Sequence, residues 1–154
     1  MPPEIKTFLL AMLPIGELRA SIPIGITVYH LPVWSAYIFS VLGNLVPLMA
    51  IISLLDPISK FFAKKIYFLN RLMYWIFEHT RRANQSKFEK LGKNLAVVVL
   101  VATPVPFVGG WTGAIAAFVF GINFKRALPL VVIGSLIAGA IVTVTTLAAL
   151  SIIK

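Results

Sequence analysis

The chain has 154 residues, of which 59% are hydrophobic and 12% charged, with a formal net charge of +9. That balance cannot clothe a soluble globule, so an all-α integral membrane protein is expected. With no cysteine, and with two histidines (His30, His79) and five acids scattered along the chain, disulfides, thiolate sites and metal cages are not expected, and neither is a cofactor.

The first apolar arm runs from Thr7 to Leu13 and is broken at Pro14 and Gly16. Glu17 and Arg19 sit at the break, and Ser21-Ile22-Pro23 reads as a fresh helix start, with a hydroxyl cap and an early proline. A second arm then reaches Tyr29. The pattern predicts a hairpin that enters the bilayer to mid-depth and returns. A cleaved leader is not expected: Leu18 stands where a cleavage site after Ala20 would need a small residue, and the sequence beyond is itself membrane-like.

Leu31 to Leu55 follows without a charge and suits one crossing, since about 20 helical residues span about 30 Å of hydrocarbon. Gly43, Asn44 and Pro47 mark a kink in it, with Asn44 expected to bond across helices.

Residues 57–93 carry nine basic side chains against the two acids Glu78 and Glu89. The positive-inside rule places this segment in the cytoplasm. From Ile58 to Phe77, Phe61, Phe62, Ile66, Leu69, Leu72, Met73 and Ile76 recur every three or four residues, which predicts an amphipathic helix in the headgroup zone, held by anionic lipid. Membrane lipids are therefore the expected partners; nucleic acid is not.

Asn94 to Phe124 is too long for one crossing and too short for two. Its centre, "TPVPFVGGWTG" from Thr103 to Gly113, explains the misfit: Pro104 and Pro106 withhold donors, and Gly109 and Gly110 weaken any helix beside Trp111 and Thr112. A second re-entrant hairpin is predicted, with arms Leu95–Ala102 and Ala114–Ile122. It would also return Lys125 and Arg126 to the basic side. Ala127 to Ile153 supplies the last span, where Gly134 with Ala138 and Ser135 with Gly139 let another helix approach closely.

The two ends share an order of parts: broken hairpin, turn, full span. "GNLVP" at Gly43 and "GSLIA" at Gly134 correspond, as do Leu13-Pro14 and Thr103-Pro104. Residues 1–154 are expected to form one membrane domain, with repeats over 1–56 and 94–154 inverted about the linker 57–93, a layout that places a site at the midplane.

A charge facing lipid at mid-depth costs about 2.5 to 3.5 kcal/mol on insertion scales, so Glu17 and Arg19 should face an interior. Two roles are open for them. They line an anion site with two helix N-termini, Glu17 carrying a proton, or they tie the hairpins together through each other or through carbonyls freed by Pro14, Pro104 and Pro106. Candidate binding residues are Glu17, Arg19, Ser21, Asn44, Thr103, Gly109, Gly110, Trp111 and Thr112, with Pro14, Gly16, Pro23, Pro104 and Pro106 as hairpin breaks. Trp111 is either a wedge at the tip or a gate.

"LPIGELRASIPIGI" together with "TPVPFVGGWTGAIAAFVFGI" resembles the small multidrug export protein family, prokaryotic membrane proteins similar to the DedA superfamily of transporters and lipid scramblases. The resemblance implies opposed re-entrant hairpins and, in the wider superfamily, movement of lipid phosphates, with the acid and arginine mapping to Glu17 and Arg19. The second hairpin lacks the arginine that DedA proteins typically carry. Three functions follow as expectations: a transporter or flippase of an amphipathic anion, a cationic drug exporter that uses Glu17, or a non-transporting scaffold. No catalytic spacing suggests an enzyme. Two spans and two hairpins make too little wall for a pathway, so a homodimer in the plasma membrane is expected, with the small-residue face of the last span as its contact.

Overall fold

The computed structural model describes residues 1–105 and 108–153. Seven helices follow one another in the described residues: α1 (Pro3–Ala11), α2 (Glu17–Thr27), α3 (Val33–Lys65), α4 (Tyr67–Leu91), α5 (Lys93–Ala102), α6 (Gly110–Val119) and α7 (Phe124–Ile153). Two helical stretches, Val33–Phe62 and Phe124–Ile153, are long and apolar enough to cross a membrane. The helices of the two hairpins, α1 with α2 and α5 with α6, have 9 to 11 residues each and so reach about 15 Å, half of a hydrocarbon layer.

The side-chain distribution is that of a protein in an apolar solvent. Ile38, Leu42, Val46 and Met49 run in a stripe along the outside of α3, and Ile133, Leu136, Ile137, Ile141 and Val144 do so on α7. The inward faces carry small and polar residues instead: Ala36, Ser40 and Asn44 on α3, and Gly134, Ser135, Ala138 and Gly139 on α7. Small residues let backbones approach, which is how helices associate where lipid tails are as apolar as leucine. At Gly43 a side chain would fall 2.2 Å from the Phe8 carbonyl oxygen, so the crossing of α1 and α3 admits only glycine. At Gly134 it would meet the Val101 side chain at 2.6 Å, and at Gly139 the Tyr37 ring at 2.8 Å. The small-residue face of α7 is thus spent inside the chain on α5 and α3, which corrects the expectation that it meets a second copy.

Three boundaries differ from expectation. α2 begins at Glu17 rather than at Ser21, and Pro23 lies inside it instead of marking a hairpin break. Leu18, Ser21, Ile22 and Gly25 are its buried residues, spaced as one helical face, and burying that face requires helix from residue 17 onward. α3 runs on through Pro57 to Lys65. The amphipathic helix expected over 58–77 is therefore two pieces, separated at Ile66, whose backbone is extended (φ −137°, ψ 105°). α6 begins four residues before the expected arm, at Gly110.

α4 is held to the rest by its aromatic residues. Phe88 stacks on Phe120 at 3.7 Å and Phe77 lies against Phe118 at 5.2 Å, which fixes α4 to the end of α6. Tyr67, Phe68, Tyr74 and Trp75 remain exposed on its first half beside Arg71.

Candidate functional site

The loop from Met12 to Gly16 turns the chain between α1 and α2, and the turn is completed by an unusual residue. Glu17 has φ +42°, a left-handed backbone that costs a side-chain-bearing residue about 1 kcal/mol or more. Its N–H donates to the Leu13 carbonyl at 3.0 Å. The result aims the carboxylate at the opposite hairpin. Oε1 accepts from the Trp111 N–H at 3.4 Å, and the Gly110 N–H faces the same group. Those are the first N–H groups of α6, which have no partner within their own helix, and a carboxylate answers both their hydrogen bonding and the positive end of the helix dipole. Glu17 thus caps a helix belonging to the other half of the chain.

Arg19, two residues on, donates from Nη2 to the Val108 carbonyl oxygen. Gly109 lies between these two contacts. A methyl group there would fall 2.9 Å from both Arg19 Nη2 and Glu17 Oε2, so the absence of a side chain is what lets the acid and the guanidinium close on the tip. The arrangement opens on a cavity of about 320 Å³ lined by Pro14, Ile15, Glu17, Arg19, Val108, Gly109, Trp111 and Thr112.

Of the residues singled out by sequence, the structure therefore gathers Pro14, Glu17, Arg19, Gly109, Trp111 and Thr112 around one cavity. Gly110 packs from the tip onto Leu48 and the Asn44 amide of α3. Asn44 is buried and donates from Nδ2 to Ser135 Oγ of α7 across 3.5 Å, the bond across helices that the sequence predicts. Gly16 precedes α2 as its cap residue. Ser21 is fully buried on α2, away from the cavity lining and not at a cap. Thr103 ends α5 and turns its hydroxyl back to the Val99 carbonyl, followed by Pro104 in non-helical backbone. Pro106 lies outside the described residues. Sequence reasoning missed Ile15, which is 96% exposed at the cavity's edge, and Val108, which contributes only its carbonyl; neither side chain carries a chemical signal.

A larger hollow of about 640 Å³ opens between α3 and the α6–α7 turn around Asp56, Pro57, Asn123 and Phe124. Asp56 is exposed there and pairs with Lys60 at 2.7 Å one turn along, an arrangement of solvated side chains rather than of held chemistry.

Comparison with known proteins converges on one family. The model of the family described as "Putative small multi-drug export protein" matches residues 17–141, from Glu17 at the first tip to Ile141 in α7. Neither a curated protein nor a solved structure matches the chain.

Proposed function

Because the chain belongs to the small multi-drug export protein family, we propose that it is a membrane transporter or flippase whose substrate is an amphipathic anion bound between the two hairpin tips. One observation carries this reading: a carboxylate of the protein sits on the α6 N-terminus beside Arg19, at the wall of a cavity. A helix N-terminus with an arginine next to it suits a phosphate or carboxylate headgroup. Glu17 occupies that place in its own right. A proton on Glu17 weakens its hold on the Trp111 and Gly110 N–H groups and frees them for the substrate's anion; loss of the proton returns Glu17 and expels the anion. Exchange of one anion for the other couples substrate release to proton movement.

In this reading α1–α2 and α5–α6 are re-entrant hairpins entering from opposite leaflets of the plasma membrane, with α3 and α7 as the spans. Residues 57–93 lie on the cytoplasmic side, where the exposed Tyr67, Phe68, Tyr74 and Trp75 with Arg71 rest among anionic headgroups. Two chains associate to close the pathway, through a surface other than the buried face of α7.

The test is flux in proteoliposomes under an imposed proton gradient, with fluorescent lipid phosphates and cationic dyes as probes. Arg19→Ala and Glu17→Gln are expected to abolish lipid-phosphate movement while the purified proteins stay folded; normal flux in either variant ends the mechanism. A second reading, export of a cationic drug bound by Glu17, is favoured by Trp111 sharing the cavity with that acid, since an aromatic wall and a carboxylate suit an organic cation. Movement of the dyes and not of the phosphates would select it.

A further inference from the structure

Hydroxyl groups in an apolar helix have a ready partner in the carbonyl one turn back. This chain uses it widely: Thr7 bonds Pro3, Thr27 bonds Pro23, Thr143 bonds Gly139 and Thr146 bonds Val142, and Ser53, Ser59 and Ser151 make the equivalent bond three residues back. Ser21 and Ser40 do not. Both are fully buried, and neither Oγ has a hydrogen-bond partner among the described residues. Asn44 Oδ1, 1% exposed at the residue level, is likewise without one.

Helix register puts these three residues at successive turns of one column. α2 and α3 are joined by a short turn and run antiparallel, and a side chain at Gly25 would lie 3.1 Å from the Ala36 methyl, which sets their register. One helical turn deeper along both helices, Ser21 comes opposite Ser40; one turn deeper again, Glu17 comes level with Asn44. The second hairpin closes the lower end: Gly109 packs on Glu17, and a methyl on the adjoining Gly110 would lie 3.4 Å from Asn44 Nδ2. Ser135 on α7 completes the wall through its bond with Asn44.

Leaving a buried hydroxyl or amide oxygen unpaired costs about 1 to 3 kcal/mol each, and internal water is the usual partner where several such groups converge. We propose that Ser21, Ser40 and Asn44 hold internal water between α1, α2 and α3, with α7 closing the end at Asn44, and that this hydrated column is the path by which a proton reaches Glu17. Each hop passes one proton along a hydroxyl or water, which accepts on one side and donates on the other, so no group in the column gains net charge. The charged neighbour of Glu17 is Arg19; the tip from Val108 to Thr112 and α7 beyond Arg126 bring no acid or base to it, α3 through Asn44 brings the Tyr37 phenol, which donates to the Leu136 carbonyl, and α1 brings Glu4 and Lys6 in its first turns. The column deepens the transport reading by giving its proton a route, but its water and its kinetics are measurable without any substrate.

The experiment places the full chain in lipid nanodiscs and follows the Glu17 carboxyl stretch by infrared spectroscopy after a rapid pH jump, with Glu17→Gln identifying the band. Ser21→Ala with Ser40→Ala is expected to slow protonation of Glu17 about tenfold while the final extent of protonation is unchanged. Water contacts to the Asn44 side-chain amide, read by NMR, are expected in the native chain and reduced in the double variant. Unchanged protonation kinetics, or an Asn44 amide with no water contact, overturns the proposal. So does a rise in thermal stability on replacing the two serines, because removing dry, orphaned hydroxyls stabilises whereas stripping partners from internal water does not. Binding of sodium or potassium that displaces this water would overturn it in favour of an alkali-cation site. If native proteoliposomes move no substrate yet protonation slows in the double variant, the transport reading fails and the column stands.

Discussion

The two halves of the molecule cross their helices in the same way and meet each other differently. In the first, Gly43 of α3 sits over Phe8 and Ala11 of α1; in the second, Gly134 of α7 sits over Val98 and Val101 of α5. Each second-half residue comes 90 or 91 positions after its counterpart, so one crossing is a copy of the other in contact as well as in spacing. At the tips the likeness ends. The first tip presents Glu17 and Arg19, two side chains, whereas the second presents the N–H of Trp111, the carbonyl of Val108 and a glycine that lets them be reached. Duplicated packing supplies the frame, and the chemistry is divided between side chains on one half and bare backbone on the other.

The largest effects should come from breaking the frame, and the two crossings should not break equally. Gly43→Ala puts a methyl against a backbone carbonyl that cannot move without its helix, and about 3 kcal/mol or more of destabilisation is expected. Gly134→Ala meets the Val101 Cβ at 2.6 Å and the Val98 carbonyl at 3.1 Å, a milder overlap than that at Gly43, and about 1 to 2 kcal/mol is expected. Denaturation in mixed micelles measures both. Equal losses would mean that the crossings are not held by the contacts described.

At the tip the balance shifts from stability to function. Gly109 has extended backbone (φ 169°), so alanine is not strained there, and its methyl meets only the mobile ends of Glu17 and Arg19. Gly109→Ala is expected to cost about 1 kcal/mol of stability and yet lower flux about tenfold or more, because displacing a positioned group by about 1 Å is enough to spoil a site. A variant that lost stability and kept its flux would separate Gly109 from the site.

The sequence makes the frame legible and part of the tip. Prolines and glycines at Pro14–Gly16 and Thr103–Gly113 announce both breaks, since each withholds a donor or weakens a helix in a medium that supplies no substitute. Charges at Glu17 and Arg19 announce an interior. The start of α2 is misread because Ser21-Ile22-Pro23 offers local capping chemistry, whereas the burial of Leu18, Ser21, Ile22 and Gly25 on one face decides where the helix begins. That spacing was available to read. The bond of Arg19 to Val108 was not, because any residue offers a carbonyl and nothing in its side chain marks it. Ser40 likewise becomes notable only once its hydroxyl is seen to lack the partner that other hydroxyls in the chain find one turn back.

The smallest effect comes from a strain that the molecule holds in two places. His30, in the turn between α2 and α3, and Glu17 are the described residues other than glycine with positive φ, at +52° and +42°. His30 is exposed, so His30→Gly should relieve the backbone and raise stability by about 0.5 to 1 kcal/mol, with flux unchanged. Glu17→Gly relieves the same kind of strain but removes the carboxylate that caps α6. The gain in backbone freedom and the loss of the cap, about 1 kcal/mol each, should nearly cancel in stability while transport disappears. A calorimetric scan and a flux assay on the two variants give the comparison directly. If Glu17→Gly gained as much stability as His30→Gly, the contact from Glu17 to Trp111 would contribute nothing, and the strained turn would have no function to account for it.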